Sequence, residues 1–411
     1  MKILILGNGG REHATGWKIK QDNPDAVLFF NKGNGGTAQI GTNVSLNTIE
    51  EIVGFAEKKQ IDLTFVGPED WLVKGIVDAF REKNLLIFGA DKKSAHLEGS
   101  KEFAKNFMQK YGVKTAKYRT FNNFTEANDY AQKQKYPLVV KADGLAAGKG
   151  VVICQDAFDA EKALDEMFNK HIFGEAGSHV VIEEFLDGFE ASILSVFNGK
   201  EITPFISAKD HKKIGEGETG LNTGGMGVAA PNPLFTQAHL EAFEKDVLQP
   251  TLNGLLAENM IFAGIIFFGL MITKDGVYLL EYNMRLGDPE TQAVLPLMES
   301  NFLEVITRSI HGQPIELKWK PQSALCVVMA SGGYPLNYET GFKINGLNSV
   351  TTPYFVAGAS IDEGKLYTSG GRVLNVVGLG DDLKSAQNAA YENVAKIHFD
   401  YEYYRKDIGE V

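Results

Sequence analysis

Apolar and polar positions alternate in blocks along the first hundred residues. Short strand-like apolar runs and helix-like segments follow one another at 2–7, 12–21, 26–30, 48–59, 61–67, 71–82 and 85–89. Such a succession is typical of a parallel sheet with helices on both faces, because parallel neighbours need a long crossover between them. The pattern therefore predicts a doubly wound α/β region at the N-terminus, with ligand-binding loops at the carboxyl edge of its sheet.

The pattern changes between about 113 and 188, where short strands alternate with two helical segments near 124–134 and 156–170. Two of these strands enclose a glycine-rich turn that contains Lys149, and Lys141 ends the first of them. The turn lacks the spacing and the following helix of a Walker A loop. A glycine hairpin can instead close its backbone over phosphates. Lys141 favours a functional role, because a charge that ends an apolar strand is costly without a partner.

A second apolar hairpin leads into the densest polar set of the chain. Runs at 265–272 and 277–280 flank a short turn, and Glu281, Asn283 and Arg285 follow. Strand side chains alternate between faces, so we expect these three to point the same way. A carboxylate, an amide oxygen and a guanidinium suit a magnesium ion that carries phosphate oxygens. A solvated strand end with salt bridges is the alternative, which the nearby acids of 288 and 290 make less attractive.

Six glycines fall within residues 215–227, and glycines are costly to order, so the sequence predicts irregular structure there. The segment is preceded by Asp-His-Lys-Lys at 210–213, which favours a mobile active-site loop over a plain linker. From about 323 onwards the chain is predicted to form a small α+β region that closes one side of the site, with a helix near 381–397.

Composition limits the classes of partner and compartment. A chain of 411 residues exceeds one ordinary core, and its 44% apolar and 23% charged residues are typical of a globular protein. The net charge of −11 argues against nucleic acid or an anionic membrane as the main partner. Both cysteines, Cys154 and Cys326, lie in apolar strand-like runs, which favours a reducing compartment. Without a visible secretory signal or a sufficiently long apolar run, we expect a cytoplasmic protein.

The first glycine turn, at 7–10, resembles the start of a dinucleotide fingerprint. Glu12 stands where the third glycine should be, and Asn31 stands where an acid would hold a ribose. A nicotinamide oxidoreductase is therefore disfavoured. A small phosphate held by backbone N–H groups at the start of the next helix, with Arg11 nearby, fits better.

The candidate chemistry is phosphoryl transfer. The sequence shows no Ser-His-Asp arrangement, no cysteine nucleophile and no metal spacing among its eight histidines. Lysines beside a glycine turn and a strand-end Glu/Asn/Arg set supply the positive charge and the metal that a transferred phosphate needs. We therefore expect ATP to activate a carboxylate as an acyl phosphate, which an amine then captures. The linker after strand 180–186 can meet adenine, and Glu190 just beyond it can meet the ribose.

Four motifs in this order resemble the glycinamide ribonucleotide synthetase family of the ATP-grasp superfamily, essentially from residue 1 to 411. They are GGREHA at 9–14, KADGLAAGKG at 141–150, NTGGMG at 222–227 and RLGDPETQ at 285–292. The resemblance implies an N-terminal substrate-binding region (1–104), a two-lobed ATP-grasp region (105–322, lid lobe about 120–188) and a C-terminal α+β region (323–411). It also implies that ATP and glycine form glycyl phosphate, which the amine of 5-phosphoribosylamine attacks in the second step of purine synthesis.

The same resemblance assigns roles to single residues. ATP would be bound by Lys105, Lys141, Gly148, Lys149, Gly150, Glu183, Glu184, Phe185, Leu186 and Glu190. Mg²⁺ or Mn²⁺ would be held by Glu281 and Asn283, and the catalytic residues would be Arg285, Asp288 and Lys141. Glycine and phosphoribosylamine would meet Gly10, Arg11, Pro68, Glu69, Asp210, Lys212, Asp288, Pro289, Glu290, Gly371 and Arg372. We expect a monomer or a weak dimer.

Two features depart from the family pattern. The strand at 265–271 lacks the additional metal-binding acid of many ATP-grasp enzymes, and Leu221 replaces an expected proline. A related ATP-grasp ligase or carboxylase acting on another purine precursor is the nearest rival, and it would need bicarbonate in place of glycine. A nucleotide-sensing protein without chemistry is a second rival, which the retained lysine, acid and amide groups disfavour.

Overall fold

The computed structural model describes residues 1–144 and 150–410. Its N-terminal region consists of β1 (Lys2–Gly7), α1 (Gly10–Asp22), β2 (Val27–Lys32), α2 (Thr37–Ile40), β3 (Thr42–Val44), α3 (Ile49–Lys59), β4 (Leu63–Val66), α4 (Glu69–Lys74), α5 (Ile76–Glu82), β5 (Ile87–Phe88), α6 (Lys92–Gly99) and α7 (Lys101–Tyr111). The five strands are parallel in the order β3-β2-β1-β4-β5, which confirms the doubly wound sheet.

The sequence of strand β1 is apolar throughout because both faces of the strand are buried. Ile3 and Ile5 enter one buried cluster, and Leu4 and Leu6 enter another, so both faces of the strand are covered. Because β1 and β4 are neighbours in the sheet, the loops that follow them lie side by side at its carboxyl edge. The predicted helix 71–82 is two helices, divided at Gly75, whose φ of +88° most other residues avoid.

The lid lobe is a four-stranded antiparallel sheet covered by two helices. Its elements are β6 (Tyr118–Phe121), α8 (Phe124–Ala131), β7 (Leu138–Ala142), β8 (Val151–Cys154), α9 (Ala157–Phe168) and β9 (Val180–Glu184). The strand order is β6-β9-β7-β8. Alanines of both helices pack on the inner strands, as at Ala127, Ala131, Ala160 and Ala163, and the lobe has its own buried core. The predicted two-helix, mixed-strand segment is confirmed.

A long antiparallel sheet spans the rest of the chain. Its region contains β10 (Phe189–Phe197), β11 (Ile202–Asp210), β12 (Lys213–Gly215), β13 (Thr219–Asn222), β14 (Gly227–Ala230), α10 (Gln237–Phe243), a π-helical turn (Glu244–Leu248), α11 (Gln249–Ala257), β15 (Gly264–Thr273), β16 (Gly276–Asn283), α12 (Glu290–Val294) and α13 (Phe302–Ile310). The last region contains β17 (Ser323–Ser331), β18 (Tyr354–Val356), β19 (Ala359–Asp362), β20 (Lys365–Thr368), β21 (Arg372–Gly380), α14 (Leu383–Val394) and β22 (Glu402–Tyr403).

The main path of this sheet runs β16-β15-β10-β11-β14-β17-β21-β18. Strand β17 pairs with β14, so sheet hydrogen bonding continues across the predicted domain boundary at residue 323. The other predicted boundary, after residue 104, falls inside helix α7. No helix within 1–144 and 150–410 is both long and apolar enough to cross a membrane.

The prediction of irregular structure for the glycine-rich segment is wrong for residues 213–222. Strands β12 and β13 form an antiparallel hairpin there, which we call the glycine hairpin. Glycines occupy positions that need them: Gly217 and Gly220 have φ values of +63° and +78°. Contacts from elsewhere in the chain hold this hairpin, so its local propensity did not decide its structure.

Candidate active site

Two buried lysines share one carboxylate between the lobes. Lys105 of α7 and Lys141 of β7 lie 3.1 and 2.9 Å from the carboxylate oxygens of Glu183 on β9, and all three side chains are at most 8% exposed. Burial lowers the pKa of Lys105 to about 8, although Glu183 raises it. Burial also raises the pKa of Glu183, but the two lysines bring it below its usual value. The cluster leaves net positive charge where phosphates are expected.

The sequence interpretation places Glu183 with the adenine-binding linker, and the structure shows where its backbone and side chain lie. Its backbone is paired on both sides, with β6 and with β7, and its side chain points to the lysines. The strand ends at Glu184, whose carboxylate accepts the backbone N–H of Lys117 at 2.9 Å. Beyond it, Phe185 and Leu186 lie outside any strand, so strand pairing does not occupy their backbone groups.

The first residues of the following strand complete this end of the site. Glu190 lies at the start of β10 and forms an ion pair with Lys212, which follows β11. Burial lowers the pKa of Lys212, but Glu190, Glu281 and Asp210 raise it overall. Lys101, which the sequence interpretation missed, donates to the carbonyl oxygen of Gly144 at 3.1 Å. Its only signal in the sequence is the spacing of four residues that places it on the same helical face as Lys105.

The side chains of Glu281, Asn283 and Arg285 come together, but alternation along the strand does not by itself place all three. A bulge at Leu280 shifts the register of β16, because Glu281 faces Gly269 while Leu279 faces Leu270. Glu281 and Asn283 then share one face, while Arg285 lies beyond the strand and reaches back to donate to the Asn283 amide oxygen at 3.2 Å. Burial raises the pKa of Glu281, but Lys212, Lys141 and Lys101 lower it below its usual value.

Arg285 is the centre of a buried ion cluster. Its guanidinium contacts Glu69 at 3.1 Å and Glu98 at 2.9 Å, and it donates to the carbonyl oxygen of Leu286 at 3.2 Å. Glu98 also accepts the backbone N–H of Met284 at 2.6 Å. Most donors of Arg285 are therefore occupied, so it fixes the loop after β16 as well as lining the site. Glu98 was missed because nothing in its local sequence marks it.

Asp288 is held by donors from three regions of the chain. Arg372 contacts it at 3.3 Å, the Gln292 amide donates to it at 2.9 Å, and the backbone N–H of Arg11 donates at 3.3 Å. Burial raises the pKa of Asp288, but Arg372 and Arg11 bring it below its usual value, so the carboxylate stays ionised. Arg372 also donates to the carbonyl oxygens of Asp288 and Gly224.

The predicted phosphate contact of Arg11 does not agree with its placement. Its side chain is 10% exposed and turns inward, where Nε lies 2.6 Å from the Glu12 carboxylate and Nη1 donates to the carbonyl oxygen of Leu286. Glu12 also accepts the backbone N–H of Gly9 at 2.6 Å. Carboxylates thus already accept hydrogen bonds from donors at the start of α1. A phosphate would have to displace these carboxylates to bind there.

Two further acids interact with each other, and among the described residues neither forms a direct ion pair, although the charge of Lys212 lowers the pKa of both. Asp210 ends β11 and Glu290 begins α12, and one Asp210 carboxylate oxygen is buried without a hydrogen-bond partner. Burial raises the pKa of both groups, and the charge of Glu290 raises that of Asp210 further. The Ser192 hydroxyl donates to Glu290 at 3.3 Å. A small cation would relieve this pair.

A cavity of about 520 Å³ opens beside Asp288 and Arg372. Its walls come from the loops after β1 and β2 and from the segments before and after β19 and β20, so it lies between the first and last regions of the chain. Lys32, Asn34, Tyr334 and Ser369 line it, and the sequence interpretation missed all four. Asn34 fixes the wall by donating to the carbonyl oxygens of Asn8 and Val356.

The remaining predicted residues are placed as follows. Gly148 and Lys149 lie outside the described residues, whereas the Gly150 carbonyl oxygen accepts the backbone N–H of Ala142 at 2.8 Å. Gly10 and Gly371 are packed too closely for a side chain, and Pro68 precedes α4 beside Glu69. Pro289 lies against Gly225. Within the described ranges, no group of three or more His, Cys, Asp or Glu side chains could hold a metal ion.

Comparison with known proteins gives a consistent result along the whole chain. Residues 1–98, 99–291 and 324–411 match the N, ATP-grasp and C domain models of phosphoribosylglycinamide synthetase. A phosphoribosylamine–glycine ligase of Fusobacterium nucleatum is 55% identical over 418 residues, covering 100% of this chain and 98% of that protein. The crystal structure of a phosphoribosylamine–glycine ligase from Thermotoga maritima aligns with a TM-score of 0.88 at 34% identity, covering 99% and 100% of the two chains.

A more distant solved structure shares the fold alone. It is the biotin carboxylase domain of the Hydrogenobacter thermophilus 2-oxoglutarate carboxylase, in complex with MgADP, ADP and bicarbonate. The TM-score is 0.74 at 13% identity, over 98% of this chain and 91% of that one.

Proposed function

The chain belongs to the phosphoribosylglycinamide synthetase family, and on that premise we propose that it is the ATP-dependent ligase that joins glycine to 5-phosphoribosylamine. The products are glycinamide ribonucleotide, ADP and phosphate, in the second step of purine biosynthesis. The observation that carries the proposal is the buried Lys105–Glu183–Lys141 cluster facing the Glu281 and Asn283 end of β16.

The lysine cluster supports the binding of ATP phosphates. Both ammonium groups are desolvated and pre-positioned by one carboxylate, so their attraction for phosphate is stronger than it would be in water. Phe185 and Leu186 follow this cluster closely in sequence, outside any strand, and their backbone is proposed to meet adenine. Glu190 is proposed to meet the ribose hydroxyls, for which it would exchange its ion pair with Lys212.

The metal-binding proposal is supported by the donor chemistry of two residues. Glu281 is held ionised by nearby lysines, and the Asn283 oxygen keeps one lone pair beside its bond from Arg285. Mg²⁺ is commonly held by one or two protein oxygens with phosphate oxygens completing its shell, so this small set fits Mg²⁺ or Mn²⁺. The ion, when bound, would neutralise charge on the transferred phosphoryl group.

The buried acid pair is proposed to receive the ammonium group of glycine. Asp210 and Glu290 are poorly compensated when both are ionised, and a primary ammonium would supply the missing charge and donors. A glycine carboxylate oxygen would then attack the γ-phosphorus of ATP, so that the bond to ADP breaks and glycyl phosphate forms. Lys141, which is proposed to contact the ATP phosphates, would stabilise the negative charge of that transfer.

The cavity beside Asp288 is proposed to hold phosphoribosylamine. Lys32 and the backbone of residues 33–35 can receive the sugar phosphate at one end, while Asp288 and Arg372 lie at the other. The amine nitrogen would attack the carbonyl carbon of glycyl phosphate, the bond from that carbon to the phosphate oxygen would break, and phosphate would leave with the proton lost by nitrogen. This placement replaces the sequence interpretation that put the sugar phosphate at Arg11.

The test is an ADP-release assay in which each substrate is omitted in turn. We expect release to require glycine and freshly prepared phosphoribosylamine together with ATP and Mg²⁺. The rival carboxylase would release ADP when bicarbonate replaces glycine, and a nucleotide sensor would bind ATP without releasing ADP under any combination. Either of those results would overturn the proposal.

A further inference from the structure

The C-terminal end of the chain is folded against the glycine hairpin (residues 213–222). The hydroxyl of Tyr403 donates to the carbonyl oxygen of Ile214 at 2.6 Å. In the opposite direction, the backbone N–H of Gly217 at the hairpin turn donates to the Asp407 carboxylate at 2.8 Å. The two segments therefore exchange hydrogen bonds at both ends of the hairpin, although about 190 residues separate them in sequence.

Arg405 is the centre of this contact. Its side chain is 1% exposed, and its Nη1 donates to the carbonyl oxygen of Lys213 at 2.9 Å. Its Nη2 donates to the Glu218 carboxylate at 2.9 Å, and Nε and Nη2 donate to Asp407 at 2.8 and 2.7 Å. A buried guanidinium is tolerated only when its donors are paired, so the hairpin and the C-terminus stabilise each other.

The contact extends to the residue that precedes the hairpin. The ring of His211 is buried, with Nδ1 2.7 Å from the Glu218 carboxylate and Nε2 accepting the backbone N–H of Gly409 at 3.3 Å. Burial raises the pKa of Glu218, but hydrogen bonds from His211 and Arg405 lower it to about 2. The C-terminal segment thus holds both neighbours of Lys212, one through His211 and the other through Lys213.

We propose that Arg405 is a positioning residue that fixes the glycine hairpin and thereby holds Asp210 and Lys212 in the active site before substrates bind. Ordering a backbone costs about 1–2 kcal/mol per residue, and glycines cost the most, so the hairpin needs contacts from outside itself. Asp210 is paired with Val228 of β14, so the loss of these contacts would release chiefly Lys212, whose ammonium would no longer be fixed beside Asp210. The inference rests on the role proposed above for Asp210 in binding glycine, and on the substrate contact that the family resemblance implies for Lys212.

Two variants weaken the contact between the C-terminal segment and the glycine hairpin, and each keeps a polar side chain at the substituted position. Arg405→Lys keeps the charge but cannot bind three acceptors in a planar fork. Glu218→Gln removes one carboxylate that is half exposed, so it leaves the fold less disturbed than the loss of the arginine. Lys396→Ala is the matched control, since it removes a C-terminal cation that bonds to Glu392 and Asn393, away from the hairpin.

The decisive measurement combines hydrogen–deuterium exchange with steady-state kinetics of the full chain. In both variants we expect amides of 211–225 to exchange at least about tenfold faster, while α14 and β17 keep the wild-type rate. The KM for glycine should rise at least about fivefold, with a smaller change in kcat, and Lys396→Ala should match the wild type in both measurements.

Unchanged exchange of 211–225 in both variants would overturn the inference, and so would faster exchange accompanied by an unchanged KM for glycine. A purely structural role would raise exchange over the whole C-terminal region together and would leave the ratio of the kinetic constants unaltered. If the wild type itself released no ADP with its proposed substrates, the proposed function would fail, whereas the exchange result would still decide whether Arg405 holds the hairpin.

Discussion

Replacement of Glu183 by Gln tests whether this carboxylate keeps Lys105 charged for ATP. The change preserves shape but removes the charge that lies 3.1 Å from Lys105 and 2.9 Å from Lys141. At an effective dielectric constant of about 20, each of these pairs is worth about 5 kcal/mol of Coulomb energy before desolvation is subtracted. Removing one partner of a buried ion pair typically destabilises a fold by about 3–5 kcal/mol.

The change also has a signature in the pH dependence of activity. Burial already lowers the pKa of Lys105 to about 8, and Glu183 opposes that shift. Without the carboxylate the pKa must fall further, so the ammonium is lost at lower pH. Because kcat/KM reports groups of the free enzyme, its alkaline limb for ATP should move down by at least about one pH unit.

The assay is ADP release at limiting ATP between pH 6 and 9, with urea unfolding measured in parallel. Asp165→Asn is a suitable control, because it removes an exposed carboxylate that pairs with Lys170 on the same lobe. We expect the control to keep both the stability and the alkaline limb of the wild type. An alkaline limb that stays in place in Glu183→Gln, or moves to higher pH, would refute the reasoning.

Three further predictions address the metal site, the glycine site and the fold. Glu281→Ala should abolish ADP release while the thermal unfolding midpoint stays near that of the wild type, and near-normal turnover at ordinary magnesium would remove Glu281 from the metal site. Asp210→Asn should raise the KM for glycine at least about tenfold, because a buried charge partner is lost, and an effect on the KM for ATP alone would contradict the glycine assignment. His13, whose pKa burial lowers from 6.5 to about 4, should make the fold less stable as the pH falls through that interval, by up to about 3 kcal/mol, because only the unfolded chain takes up the proton. Urea unfolding at several pH values should show this loss in the wild type and not in His13→Asn.

The sequence predicted the elements whose pattern is set by near neighbours. The predicted strands and helices of residues 1–90 and the antiparallel strand pairs β7–β8 and β15–β16 follow from local periodicity, and the structure has them within a few residues. The short elements α2 and β3 were missed because neither is long enough to show a period, and α6 and α7 were not predicted either. The family was also evident from the sequence, because the order of its motifs can be recognised without knowledge of the tertiary contacts.

The glycine hairpin shows where local reasoning fails. Its composition correctly indicates a high entropic cost of ordering, but Arg405 and Asp407 supply contacts that offset this cost from the other end of the chain. Glu183 shows the same effect on a smaller scale. Its position near a strand end suggested a linker residue, whereas pairing on both sides turned its side chain toward the lysines.

The sequence by itself thus determined the class of sheet, the order of the elements and the kinds of chemical group available. Only the tertiary structure decided which buried charge meets which partner, as in the contacts of Arg285 with Glu69 and Glu98, which lie 216 and 187 residues away in sequence. The physical reason is that periodicity arises from neighbours along the chain, whereas a buried ion must be compensated by whatever group the packing brings within about 3–4 Å. The cavity between the first and last regions has the same origin, since its walls meet only in the folded chain.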